Sequence, residues 1–210
     1  LLGIIIFSPY YQLSPALSKP MMVHMHTMGE KKVYEESNPM WLVSVIENNK
    51  VPLRLAPGLS LNYSSTIPPQ LAVYTNYGAL QAITKFSHAN KEILHLDYMT
   101  NAIAYHLLIK PRVLLLDEGT GSSTLLAQFH HAKSIDQTEQ NIIIYNLVRH
   151  RFSQFSGNLF STINTHISQA CSYLDTNNKH FDLINIPPIA SANDSSIYSS
   201  NRGYLFTVQA

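Results

Sequence analysis

The feature that most constrains this chain is the run Val113-Leu114-Leu115-Leu116, which passes without a break into Asp117-Glu118-Gly119-Thr120-Gly121-Ser122-Ser123. Four apolar residues in a row show no alternation, so a strand made of them is buried on both faces, as in a parallel sheet covered by helices. Small residues directly after it let the backbone turn sharply and approach a ligand. The next segment, Thr124 to Phe129, is compatible with a helix whose N-terminal amides face that turn. The spacing Asp117-x-Gly119-x-Gly121-x-Ser123 departs from the Gly-x-Gly-x-x-Gly dinucleotide fingerprint. A lone Gly-x-Gly also reads as a plain tight turn.

The strand and helix alternation continues downstream. Lys133 to Asp136 is a second strand, Ile142 to Phe152 a helix, Thr165 to Ser168 a third strand, and Phe181 to Ile186 a fourth that stops at Pro187-Pro188. Upstream, short β-like runs such as Lys32-Val33-Tyr34 and Trp41 to Ile46 lie between Asn38-Pro39, Asn48-Asn49, Pro57-Gly58 and Pro68-Pro69. These read as hairpins and meanders. Between the two parts, Ile93, Leu96, Met99, Ile103 and Leu107 recur at helical intervals, which predicts one amphipathic helix from Ile93 to Leu108. The expected organisation is a β-rich N-terminal domain over 1–92, a linking helix over 93–110 and an α/β Rossmann-like domain over 111–210.

Composition removes several classes. The net charge of +1, without any block of Lys or Arg, lacks the footprint of a nucleic-acid binder. Cys171 is the single cysteine, which excludes an internal disulfide framework and fits a reducing, cytoplasmic compartment. Only 13% of residues are charged against 45% hydrophobic, so some of the surface is expected to be covered. The opening run, Leu1 to Phe7, is far shorter than the roughly 20 residues that span a bilayer and reads as a strand or as the tail of a membrane helix. It carries no initiator Met, and the chain is expected to be a fragment.

Asp136, placed by this reading at the end of the second strand, is where a carboxylate can accept both hydrogen bonds of a ribose diol. A helix N-cap is its alternative role. Ten histidines raise the question of metal. His24-x-His26 puts two imidazoles on one face of a strand and His130-His131 are adjacent, but no carboxylate or third histidine lies near enough along the chain to complete a site, so no metal is expected. Ser122 and Ser123 lack the Gly-x-Ser-x-Gly elbow of a nucleophile.

Pro111 to Gly121 resembles the glycine-rich nucleotide loop of the spermidine synthase family, and Tyr77-Gly78-Ala79-Leu80-Gln81 is similar to its upstream Asp-Gly-x-x-Gln element. Further matches are Leu94 to Met99, Phe152 to Phe160, Phe181 to Ile184 and Tyr204 to Val208, in order over most of the chain after about residue 50. Ala56 to Leu61 and Ser8 to Ser14 are similar to bacterial members in which this module is joined to membrane-spanning segments.

The resemblance implies a Rossmann-like fold of the S-adenosylmethionine-dependent methyltransferase type, here without its last strands. It also implies a ligand, S-adenosylmethionine or its decarboxylated form, and a place in polyamine biosynthesis. Asp117, Gly119 and Gly121 would line the nucleoside, Asp136 would hold the ribose, and Gln81 would belong to the same site. Gln169 stands where the family usually has an acid for the adenine amino group. A polyamine acceptor, a second copy of the chain and membrane segments of the same parent chain are the further partners it implies, with the module on the cytoplasmic side.

At the catalytic place the resemblance fails. Aminopropyl transfer needs a carboxylate to hold and deprotonate an amine whose pKa lies near 10. The family's acids follow the fourth strand, where this chain has Asn185-Ile186-Pro187-Pro188-Ile189-Ala190-Ser191. Asp194 and Asp97 are the remaining candidates, and Tyr77 replaces another acid. Three readings follow: a spermidine synthase-like protein with reduced or lost transfer, a methyltransferase acting on an acceptor that is already nucleophilic, and a non-catalytic regulatory or assembly domain of a membrane protein.

Overall fold

The computed structural model describes residues 15–26 and 29–186. The segments Leu1 to Phe7, Ser8 to Ser14, Pro187 to Ser191 and Tyr204 to Val208, and the candidate base Asp194, lie outside them. The protein is mixed α/β with one antiparallel and one parallel sheet. Helix α1 (Pro20–Met25) precedes strands β1 (Glu30–Ser37), β2 (Leu42–Asn48), β3 (Gln70–Thr75) and β4 (Ala79–Thr84), which pair in chain order as an antiparallel meander. Tyr77 lies in the β3–β4 turn. Asn76 and Tyr77 both have positive φ and Gly78 N closes onto Thr75 O at 3.0 Å, the backbone that a two-residue hairpin of right-handed twist requires.

His24 and His26, expected on a strand, belong instead to α1 and its C-terminal end. His24 bonds Tyr74 Oη at 2.8 Å and approaches Glu30 Oε1 at 2.8 Å, while His26 bonds Met22 O.

The single helix predicted from Ile93 to Leu108 is broken. It consists of a 3-10 turn over Asn90–Ile93, the short helix α2 (Leu94–Asp97), a second 3-10 turn over Thr100–Ala102 and helix α3 (Ile103–Leu107). The cause is tertiary. Met99 is extended and bridges Leu59, Ser60 N donates to Tyr98 O at 2.9 Å, and Thr100 N donates to Gly58 O at 3.2 Å. Backbone groups needed to continue the helix are thus given to the 58–60 loop, and the chain re-enters in a different phase. Ala102 and Tyr105 are buried, whereas Ile103 and Leu107, expected on the apolar face, are 61% and 79% exposed.

From Arg112 the expected alternation is present. Strand β5 (Arg112–Leu115) leads to α4 (Ser122–Phe129), β6 (Ser134–Thr138), α5 (Ile142–Asn146) with a wider π turn over Leu147–Arg151, β7 (Asn164–His166), α6 (Ala170–Thr176) and β8 (Leu183–Asn185). The four strands form a parallel sheet in the order β7-β6-β5-β8. Val113 and Leu115 pack with Leu125, Leu126, Ile143 and Leu147 on one face, and Leu114 and Leu116 pack with Ala170 and Tyr173 on the other. That two-sided burial is what an unalternated strand demands. The same core continues through Val43, Val45, Leu71, Val73 and Ile83 of the antiparallel sheet, so the two sheets share one apolar interior. Asp182 clamps the start of β5: Arg112 donates to it from its backbone N at 2.8 Å and from its guanidinium at 3.1 and 2.9 Å. The Arg112 hydrogen bonds hold the Asp182 carboxyl well below the usual carboxylate range.

No helix among the described residues is long and apolar enough to cross a membrane.

Candidate functional site

The glycine loop leaves the C-terminal end of β5 and is tied down on two sides. Asp117 N donates to Thr138 Oγ1 at 3.0 Å, Glu118 N to Thr138 O at 3.0 Å and Gly119 N to Glu139 Oε2 at 2.8 Å, all at the end of β6. Thr120 Oγ1 reaches across to Ala82 O of β4 at 2.8 Å. Asp117, Gly119 and Gly121 have φ of 49°, 71° and 99°. A Cβ at Gly119 would fall against the Gln81 amide, with Cδ at 2.9 Å, and one at Gly121 would collide with Leu159 and lie 3.3 Å from Phe160. Glycine at 121 therefore serves close packing of the loop on the 159–160 turn, and glycine at 119 lets the loop meet β4.

Between the loop and the antiparallel sheet lies a cleft of about 150 Å3, lined by Gln81 and Ala82 of β4, Gln70 and Thr84, His95 and Leu96 of α2, and Asp117, Glu118, Ser122 and Ser123. Two of its polar groups await a partner. Gln81 Oε1 is buried without a hydrogen bond among the described residues, and neither ring nitrogen of the buried His95 makes one of ordinary geometry. Burial pulls the His95 pKa below its ordinary value, against a weaker opposing contact to the Glu92 backbone. Glu118 Oε1 accepts from Thr124 N at 2.8 Å in the first turn of α4. Burial nevertheless pushes its pKa up to about 7, with the bonds from Thr124 and Ser123 opposing the shift. A carboxyl that titrates near neutrality in a cleft is suited to proton transfer.

The structure thus brings together Asp117, Gly119, Gly121 and Gln81 of the residues expected to bind a nucleoside. It does not bring Asp136 to them. Asp136 is the third of five residues in β6, paired in register with Leu114 and Asn164, and not the strand's last residue. Its buried carboxylate receives Lys179 Nζ at 2.6 Å and Asn164 Nδ2 at 2.5 Å. Glu139 takes the expected place just beyond the strand. It is 4% exposed, and besides the Gly119 contact its Oε1 accepts from Asn141 N at 2.6 Å. Gln169 is exposed at the N-cap of α6, where its side chain makes no capping bond.

Asp97 does not line the cleft. Its Oδ1 lies 2.8 Å from Nε2 of both His106 and His130, and potential ligand atoms of the three residues all fall within 4.8 Å of one another. Spacing along the chain hides this group, because its members come from α2, α3 and the end of α4.

Fold and site define a mixed α/β protein with a parallel sheet and a glycine loop at the sheet's C-terminal edge, facing an antiparallel sheet across a cleft. Among solved structures it is similar to spermidine synthases. One, from Thermotoga maritima, matches at 12% identity and a TM-score of 0.49 over 74% of this chain and 47% of that chain. Another is a spermidine synthase in complex with the transition state analogue AdoDATO, at 11% identity and a TM-score of 0.49 over 74% of this chain and 46% of that chain. The chain spans about half the length of these structures. No family model matches it, and no curated protein matches it. At these identities the similarity concerns the fold alone.

Proposed function

We propose that the cleft binds the adenosine part of S-adenosylmethionine or decarboxylated S-adenosylmethionine, as a spermidine synthase-like module of aminopropyltransferase ancestry. The observation that carries this reading is the Gly119 N to Glu139 bond, which gives a glycine-loop amide to a carboxylate. Loops that cradle phosphate keep such amides for the anion and exclude acids from it. Here Asp117 and Glu139 flank the loop, a field that repels a pyrophosphate and favours a ligand with a ribose diol and a positive sulfonium. Glu139, just beyond the end of β6 and bonded to Gly119 N, is where the strand end places a carboxylate beside the loop. Gln81 Oε1 supplies an acceptor for a ligand N–H on the opposite wall.

We assign the ribose to Glu139 rather than to Asp136. Glu139→Gln keeps the side-chain volume but leaves one acceptor oxygen and no charge. Loss of a hydrogen bond to a charged acceptor costs roughly 1.5 to 3 kcal/mol, so affinity for methylthioadenosine and S-adenosylmethionine falls at least about tenfold. Asp136→Asn leaves it unchanged, since that carboxylate is occupied by Lys179 and Asn164. Ligand-induced thermal shifts measure both, because a ligand of the folded state raises apparent stability. Loss in the Asp136 variant alone returns the ribose to Asp136, and no shift of the parent chain with any adenosine thioether or sulfonium discards the reading.

A further inference from the structure

We propose that Asp97, His106 and His130 form a binding site for one zinc ion, separate from the nucleoside cleft. The three residues sit at the ends of three different helical segments: Asp97 closes α2, His106 lies in the last turn of α3, and His130 follows Phe129 at the end of α4. The break in the 93–108 segment makes this possible, since it turns α3 back so that His106 faces Asp97.

One pair of the cluster is buried and close without good hydrogen-bond geometry. Asp97 Oδ1 and His130 Nε2 are buried, are 2.8 Å apart, and yet neither makes a hydrogen bond of acceptable direction among the described residues. Both atoms carry lone pairs that a cation can take up. A cation placed off the N···O line accepts both. Around a tetrahedral zinc with ligand distances near 2.0 to 2.2 Å, donor atoms sit about 3.4 Å apart. Here Asp97 Oδ1 is 2.8 Å from each imidazole nitrogen and all three donors lie within 4.8 Å, so small side-chain movements that draw the carboxylate back admit the ion.

The donor set selects the metal. Two imidazoles with one carboxylate suit zinc, whereas magnesium and calcium take oxygen cages. His106, 55% exposed at its side chain, leaves a fourth position open to water. His130 is held in orientation by its neighbours: the Tyr105 ring stacks on it at 5.2 Å and 18°, and Phe129 meets it edge-on at 5.3 Å. The His106 and His130 rings stand at 82° to one another, as two ligands approaching one ion from different directions do. Zinc here would pin α2, whose His95 and Leu96 line the cleft, to the end of α4.

The test is titration of zinc chloride into the chelator-treated full chain by calorimetry, with cobalt(II) as a spectroscopic probe. Binding of one ion per chain is expected, with the visible bands of four-coordinate cobalt. His106→Ala and Asp97→Asn should each weaken it by at least about tenfold. His26→Ala, an exposed imidazole elsewhere, should not. Because His106 is exposed, its variant keeps the fold, which circular dichroism verifies. The absence of one-to-one binding, or equal binding by the parent chain and both site variants, overturns the proposal. Nucleoside binding in the cleft is measured separately and stands or falls without it.

Discussion

Given decarboxylated S-adenosylmethionine and putrescine, the chain is expected to form spermidine at least about a hundredfold below the ordinary enzymatic range of roughly 1 per second or more. The amine must lose a proton before it attacks the carbon beside the sulfonium, and a general base contributes typically about 10²- to 10⁴-fold to such a step. After the fourth strand the sequence offers Pro187-Pro188-Ile189-Ala190, two rigid rings and two apolar side chains with no acid among them. Asp97 is paired with His106 and His130 and is not among the residues lining the cleft. The assay measures spermidine and methylthioadenosine together, in a preparation whose binding of methylthioadenosine has been verified by thermal shift. Turnover near 1 per second that is lost in Glu118→Gln would reverse the conclusion and make Glu118 the base. Methylthioadenosine without spermidine would instead show transfer to another acceptor.

The parallel sheet was legible in the sequence because burial on both faces leaves no choice but an apolar run, and Val113 to Leu116 is one. The end of the next strand was not. Gln137 and Thr138 are polar, so hydropathy stops the strand at Asp136, but both are fully buried with their hydrogen bonds met. Thr124 Oγ1 donates to Gln137 Oε1 at 2.7 Å, Gln137 Nε2 donates to Thr165 Oγ1 at 2.9 Å, and Thr138 Oγ1 receives Asp117 N. The strand therefore runs two residues further and delivers Glu139, not Asp136, to the glycine loop. Satisfied polar pairs inside a sheet are invisible to a pattern that equates polarity with exposure. The break after Asp97 escaped the pattern for another reason: helical spacing is local, while the Leu59 to Met99 bridge that defeats it joins residues far apart in the chain. The same break assembles the cluster of Asp97, His106 and His130, which no spacing along the chain discloses.

Replacing Glu118 by Gln is expected to stabilise the chain at alkaline pH and to leave it unchanged at acid pH. The folded chain holds the Glu118 proton up to about pH 7, against an ordinary value of 4.5 that applies when unfolded. Between those values the folded state binds more protons than the unfolded state, so stability falls as pH rises. Below the lower value both states are protonated and the contribution is complete; above the upper value both are ionised and it is lost. The full difference corresponds to about 3 kcal/mol, an upper bound because the cleft admits water. Gln retains an acceptor for Thr124 N and carries no charge to bury, so its stability lacks this slope. Urea unfolding of both chains across that range gives the difference directly, and other titrating groups cancel in the comparison. Parallel stability curves would show that Glu118 is not held in its neutral form. The same carboxyl couples protonation to ligand charge: a sulfonium beside it favours the ionised form, so S-adenosylmethionine binds more tightly as pH rises through about 7. Uncharged methylthioadenosine offers no such compensation, and its binding lacks that increase.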